Sequence, residues 1–307
     1  MWRDYSTMRI ESKPEVQPIP RFGLTGDIVA YRRCPRQYGY FVDRGFVPAH
    51  TVQIFYGTVV HEVLDRAHRH YEGFDDPATR GRIPGDKDIK AYFDEVENSL
   101  KAHGIRAINL RLRQQALDVL ERFNRIEGPR LYPLVVDTEH RVRGTRKDYF
   151  MEGVVDVLVG SDSDLDSRKD PSKWEIWDYK GVRRPKRQDT EDMRSYIYQM
   201  QVYAALYEIR NGCLPRAAKL YFLNELQNTS TRPTSAECNV SISRNEIANA
   251  LQEFDDTAAQ IKECIEEGKW DAPTPSRAKE IEDTCVICDI RWSCPAWEQN
   301  HFPVQYP

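Results

Sequence analysis

The chain has 307 residues, 40% hydrophobic and 30% charged, enough for one large core or two domains at most and too apolar for a largely disordered protein. Its formal net charge is −4, so any contact with nucleic acid has to come from local basic patches, not from a global positive field. No apolar run is long enough to span a bilayer.

Residues 1–22 read as a polar tail interrupted by Pro14, Pro18 and Pro20, without the apolar centre of a signal peptide. A cytoplasmic location with no membrane partner is expected, and residues 23–307 are expected to form a single domain. Thr25 suits the cap of a helix that carries Ile28 and Tyr31 inward and stops near Cys34-Pro35. A second helix is expected over roughly Gln53 to Tyr71, with Leu64, Ala67 and Tyr71 on its apolar stripe. His61, Asp65 and His68 share one face of it by spacing, but the pattern is not the His-Glu-x-x-His of zinc proteases, and His68 and His70 suit structural roles.

Residues of about 86–128 are charged, poor in glycine and helical in period, which predicts a helical insertion burying Leu110, Leu112, Leu117, Leu120 and Phe123. Its arginines at 106, 111, 113, 122 and 125 read as a solvated face or as a path for nucleic acid. Strands follow at Leu134–Val142 and Tyr149–Val159, the second with Asp156 inside an apolar run. An unpaired carboxylate there would be costly, so Asp156 needs a metal, a cation or several hydrogen bonds. Between Ser161 and Lys173, Asp162, Asp164 and Asp166 imitate the start of a calcium loop, but Ser167 and Lys173 stand where its glycine and bidentate acid belong, leaving a polar hairpin loop.

Trp174–Lys180 reads as the next strand, and alternation sets Asp178 beside Lys180 with Glu175 on the opposite face. The basic segment Arg183, Arg184, Lys186 and Arg187 comes next, and Arg32, Arg33 and Arg36 form a second patch near the start. A long helix over Thr190–Asn211 aligns Tyr196, Gln199 and Tyr203. Strands at Ala217–Leu226 and Glu237–Ile242 precede an amphipathic helix, Glu246–Glu267, whose stripe runs from Ile247 through Leu251 and Phe254 to Ile265. Pro273 and Pro275 then open a cysteine-rich end.

Cys34 with Cys285-x-x-Cys288-x-x-x-x-x-Cys294 forms a thiolate set suited to a soft metal, and spacing leaves zinc and an iron–sulfur cluster both open. Four short motifs stand in order through the rest of the chain: Gly57-x-x-x-His61, Gly153-x-x-Asp156, Asp178-x-Lys180 and Gln199-x-x-x-Tyr203.

Their order resembles the PD-(D/E)XK nuclease superfamily in its RecB-like branch. The resemblance implies an α/β fold with a restriction-endonuclease-like core, a central mixed sheet flanked by helices, carrying the helical insertion and a C-terminal iron–sulfur segment. It also implies Mg²⁺ or Mn²⁺ held by Asp156, Asp178, His61 and the backbone of Tyr179, with Lys180 acting on the attacking water or the transition state. Gln199 and Tyr203 would orient the lysine or touch the DNA backbone, and Arg183, Arg184, Lys186 and Arg187 would guide the strand. One departure is Val157, where many relatives carry a polar or basic residue. The four cysteines are similar to the [4Fe–4S] staple of the AddB nuclease domain and of CRISPR-associated iron–sulfur exonucleases.

The expected function is a metal-dependent DNA exonuclease acting on single-stranded ends. The alternative is a DNA-binding or scaffold subunit of a helicase–nuclease repair complex or a CRISPR adaptation complex, its nuclease dependent on those partners. No Gly-x-x-x-x-Gly-Lys-Ser/Thr phosphate loop is present, so no ATP motor is expected.

Overall fold

The computed structural model describes residues 19–46, 52–161 and 167–300. Most of the expected tail, and Asp162, Asp164 and Asp166 of the polar loop, lie outside them. Six strands form one mixed sheet: β1 (Arg21–Gly23), β2 (Val135–Arg146), β3 (Tyr149–Val159), β4 (Glu175–Lys180), β5 (Ala217–Phe222) and β6 (Glu237–Val240). Strand pairing thus begins at Arg21, inside the segment expected to be tail. Five long helices flank the sheet among the described residues: α1 (Val52–Glu72), α2 (Asp86–Ala102), α3 (Leu110–Ile126), α4 (Glu191–Asn211) and α5 (Arg244–Glu267).

β4 is buried along its length up to Lys180, on both faces and not on one. Its alternation sends Ile176 into a core with α4 and α5, while Trp177 and Tyr179 enter a second core with α1, α2 and α3. The insertion therefore forms most of a packing layer. Leu117, Leu120 and Phe123 are buried as expected, but Leu110, the first residue of α3, is 83% exposed. Similarly Ile265, near the end of α5, is exposed where a continuous core stripe was expected. α4 is buried nearly all round from Tyr198 to Tyr207, so it is a central helix with only Gln201 partly open.

β2 runs along one edge of β3 for its whole length. The other edge is divided, with β1 beside Phe150–Glu152 and β4 beside Val157–Val159. No described strand covers the edge between Gly153 and Asp156. Alternation also breaks there, because Val155 enters the α4–α5 core while Val157, two residues on, enters the α1–α3 core. The sheet forks and changes face at Asp156.

At the start of the domain, Thr25 caps nothing. The turn after β1 is closed by Asp27, whose carboxylate accepts the Gly23 N–H at 2.6 Å. Cys34 then caps a one-turn helix, Pro35–Tyr38, accepting the Gln37 N–H on its sulfur at 3.4 Å.

Candidate active site

The fork gathers side chains from both layers. Asp156 Oδ2 accepts the Tyr179 backbone N–H at 2.6 Å and lies 3.3 Å from His61 Nδ1 on α1. Across the fork, Asp178 is 2% exposed, with Oδ1 accepting the Gln199 amide at 2.9 Å. Its Oδ2 pairs with the Lys180 ammonium, 2.7 Å from Nζ. Gln199 also accepts Lys180 Nζ at 2.7 Å through its carbonyl and donates to the Tyr203 hydroxyl at 3.0 Å. The ammonium sits 4.6 Å from the centre of the Tyr196 ring as well. A single amide thus fixes acid, lysine and phenol together, which is why α4 buries a glutamine.

Gly153 explains how the phenol reaches that place. A Cβ there would stand 2.7 Å from the Tyr203 ring, so only glycine lets the ring lie against β3. Behind Lys180, Asn224 accepts the Tyr56 hydroxyl at 2.5 Å and donates to the Gly181 carbonyl at 2.8 Å, latching the turn that follows β4. This latch was missed because the expected strand ran on to Leu226, whereas the chain turns at Leu223–Leu226.

Electrostatics divide the two acids. Burial alone would raise Asp156, but His61, the Tyr179 N–H and Lys180 hold it below the usual carboxylate range. Burial, with Asp156 nearby, pushes Asp178 up to about 6 despite Lys180. His61 is opposed by burial, yet the Asp156 carboxylate raises it to about 9. Burial, followed by the two aspartates, keeps the Tyr203 phenol protonated well above its ordinary range. These groups suit a divalent cation, which would replace the imidazolium proton and compensate the buried carboxylates.

Not every expected residue reaches the site. Tyr179 contributes backbone only, since its hydroxyl bonds His68 Nε2 at 3.1 Å in the other layer, a structural role for both. His70 likewise bonds the Tyr92 hydroxyl. Glu175 is held by Trp177, Arg216 and Lys219, away from the fork. Val157 is fully buried and turned from the site, so a polar side chain there would have no path to substrate. Arg184 bonds Glu225 and the Glu237 carbonyl, and Arg187 pairs with Asp189, whereas Arg183 makes one long contact to Gln227. Arg32 and Arg33 pair with Glu253 and Asp192, and Arg36 bonds the Ser293 carbonyl, so that patch is structural. Glu139 on β2, not singled out by the sequence, has a carboxylate oxygen within 4.8 Å of ligand atoms of both His61 and Asp156.

A cavity of about 270 Å³ opens beside Lys180, lined by Tyr56, Leu112, Gln115, Val182, Tyr196 and Asn224 among others. A larger one of about 730 Å³ lies further along α1, but Glu62, Asp65, Asp75, Asp76, Asp88 and Glu95 line it, a poor setting for a polyanion. Cys34, Cys285, Cys288 and Cys294, from the two ends of the described sequence, line one small pocket without disulfides. Burial, with the three other thiols nearby, pushes Cys34 up to about 11.

A model of the PD-(D/E)XK nuclease superfamily matches residues 26–295. A crystal structure of a protein described as a putative exonuclease, from Eubacterium rectale, superposes with a TM-score of 0.54 at 12% identity, covering 98% of this chain and 96% of that one. That likeness is one of fold. No curated protein sequence matches significantly.

Two outcomes follow from this geometry. Gly153→Ala forces the Tyr203 ring away and, at a cost of about 1–3 kcal/mol of overpacking, should leave a folded protein whose cleavage rate falls at least tenfold while Mn²⁺ still binds; unchanged turnover would contradict the packing argument. The second concerns pH. The charged His61–Asp156 pair contributes stability in full below the ordinary imidazole pKa of about 6.5 and loses it as pH rises through about 9. Mn²⁺ must displace that proton, so its affinity should rise from pH 6 to 9, and titration calorimetry at pH 7.5 in buffers of different ionisation enthalpy should register proton release.

Proposed function

The chain belongs to the PD-(D/E)XK nuclease superfamily, and we propose that it is a divalent-metal-dependent deoxyribonuclease, of the RecB-like branch, that removes nucleotides from single-stranded DNA ends. The observation that carries this reading is the complete Asp156, Asp178 and Lys180 set, locked by Gln199 at an open fork of the sheet. A protein that only bound DNA would have no use for a buried aspartate held 2.7 Å from a lysine at that edge.

Mg²⁺ or Mn²⁺ held by Asp156, Asp178 and His61, with the Tyr179 carbonyl, would polarise the phosphoryl oxygen and lower the pKa of an attacking water. Lys180, steered by Gln199 and Tyr196, positions that water or offsets charge developing on the phosphorus oxygens. Tyr203 keeps its proton and therefore acts on the lattice of hydrogen bonds, not as a base. Arg183, Arg184, Lys186 and Arg187 directly follow the catalytic lysine; the exposed Lys186 and Arg183 are best suited to phosphate, since the Arg184 guanidinium bonds the Glu237 carbonyl and Arg187 pairs with Asp189.

Support for single strands comes from the cavity beside Lys180. At about 270 Å³, and lined on one side by Leu112 and Gln115 of α3, it is of a size to take one unstacked nucleotide. The exonuclease description of the structural neighbour agrees with action at ends.

The four cysteines fit a [4Fe–4S] cluster. Their thiols converge from both ends of the domain into one pocket, and four neighbouring thiols cannot ionise together without a compensating cation. Such a cluster would join the start of the domain to its end, and its role is structural.

Lys180→Ala should lose about 100- to 1,000-fold in turnover on labelled single-stranded DNA with Mn²⁺, while a duplex without ends should remain uncut by the wild type. Equal cutting by both proteins would remove the catalytic assignment and favour a scaffold that borrows its nuclease from a complex. For the cluster, anaerobically purified protein should be brown with iron and sulfide, and Cys288→Ala should lose both. Stoichiometric zinc without iron would replace the cluster with a zinc site.

A further inference from the structure

We propose that Glu139 is a metal ligand of this centre, forming with His61 and Asp156 a three-element cation subsite at the mouth of the fork; the inference rests on the nuclease reading above. The three side chains come from β2, α1 and β3, and one ligand atom from each lies within 4.8 Å of the other two. Neighbouring ligand atoms of an octahedral Mg²⁺ or Mn²⁺ shell stand about 3 Å apart, so the three side chains would draw together on an ion, and the donor set of two carboxylates and one imidazole suits Mn²⁺ or Mg²⁺.

A second observation concerns the backbone. Glu139 has a φ of +47°, and the other described non-glycine residues with positive φ, Lys147 and Asn228, lie in a hairpin turn and after a short helical turn. Glu139 alone of the three sits within paired strand, between Thr138 opposite Val157 and His140 opposite Val155. Left-handed backbone disfavours a residue with a Cβ, and outliers of this kind concentrate where function demands a particular side-chain direction. Here the direction brings a second carboxylate up to Asp156, across the ladder, where like charges repel. Among the described residues no lysine or arginine forms an ion pair with Glu139. His61 is the cation at hand, and it already serves Asp156.

Across the fork, Asp178 Oδ2 already faces the Lys180 ammonium at 2.7 Å, so the carboxylate of the centre without a cation of its own lies on the outer side, at Glu139. Asp156 then stands between two groups of donors, Glu139 with His61 on the outer side and Asp178 on the inner. Glu139 is exposed, so this outer subsite is where an ion enters and where water reaches it.

Mn²⁺ binding to the metal-free full chain, read without DNA by calorimetry and electron paramagnetic resonance, tests the assignment. Glu139→Gln should weaken binding at least tenfold or remove one bound ion, and change the Mn²⁺ spectrum. Glu139→Gly, which removes the ligand and relieves the positive φ, should bind equally poorly yet melt at or above the wild-type temperature when metal-free. Wild-type affinity, stoichiometry and spectrum in Glu139→Gln would overturn the proposal, as would a metal-free Glu139→Gly protein that melts well below wild type, because the backbone would then serve stability. A wild-type protein that binds Mn²⁺ through Glu139 but cuts no DNA would sink the nuclease reading and leave the ligand assignment standing; one that cuts equally well and binds equally tightly without Glu139 would do the reverse.

Discussion

Everything at the candidate site depends on the divided edge of β3. A strand has two edges, and β2 takes one of them entirely, so β1 and β4 must share the other. On that shared edge, the four residues between their footprints have no described strand beside them. Backbone groups at such an opening need partners, and the Asp156 carboxylate supplies one by accepting the Tyr179 N–H where the β3–β4 ladder has just ended. The same bond that closes the fork also holds a carboxylate at its apex. Because β3 changes face there, helices on both sides of the sheet can reach one point, His61 from α1 and Gln199 from α4. A regular sheet would have kept those two side chains on opposite sides of a continuous wall.

Concentrating charge at that point is unfavourable for the fold alone. Asp178 is nearly inaccessible and drawn towards protonation, and His61 must carry a proton to accompany Asp156. Gln199 limits the cost by bonding acid and lysine at once, at the expense of a glutamine buried in a helix that otherwise packs apolar on all sides. A divalent cation would relieve the remaining imbalance. Folding and metal affinity would then be coupled through the same few side chains, with stability given up in the metal-free state for a site already shaped for its ion.

Much of this was legible in the sequence. β3, β4, α1 and α4 follow from period and composition, and Asp178 beside Lys180 follows from alternation alone. The motif order supplied Asp156, His61, Gln199 and Tyr203 through resemblance. What escaped was whatever depends on a break in regularity. Glu139 lies in a strand whose period says nothing of a positive φ, and the insertion's Leu110 looked like core because helical period does not reveal where the packed face begins. Asn224 was hidden because strand propensity runs through Leu223 and Leu226 while the chain actually turns. Thr25 satisfied a capping rule that Asp27, two residues on, satisfies in another way.

The cysteine pocket bears on the same economy. Cys34 follows a segment that packs against α4 and α5, while Cys285, Cys288 and Cys294 lie beyond α5, and polar contacts already join these regions, Arg36 to the Ser293 carbonyl and Arg277 to both Glu191 and the Arg32 carbonyl. The bonds to the Ser293 and Arg32 carbonyls are exposed and individually weak, and the half-buried Arg277–Glu191 pair is the firmest of the three. The short helices around the cysteines have few buried residues of their own, so they contribute little apolar stabilisation. A cross-link through four thiolates would close a loop of most of the domain and so remove much of the unfolded chain's entropy. It would also brace the N-terminus of α4, where Glu191 meets Arg277, and α4 is the helix that carries Gln199. With such a cross-link the pocket and the fork would be mechanically related, because it would steady the helix on which the geometry of Asp178 and Lys180 depends.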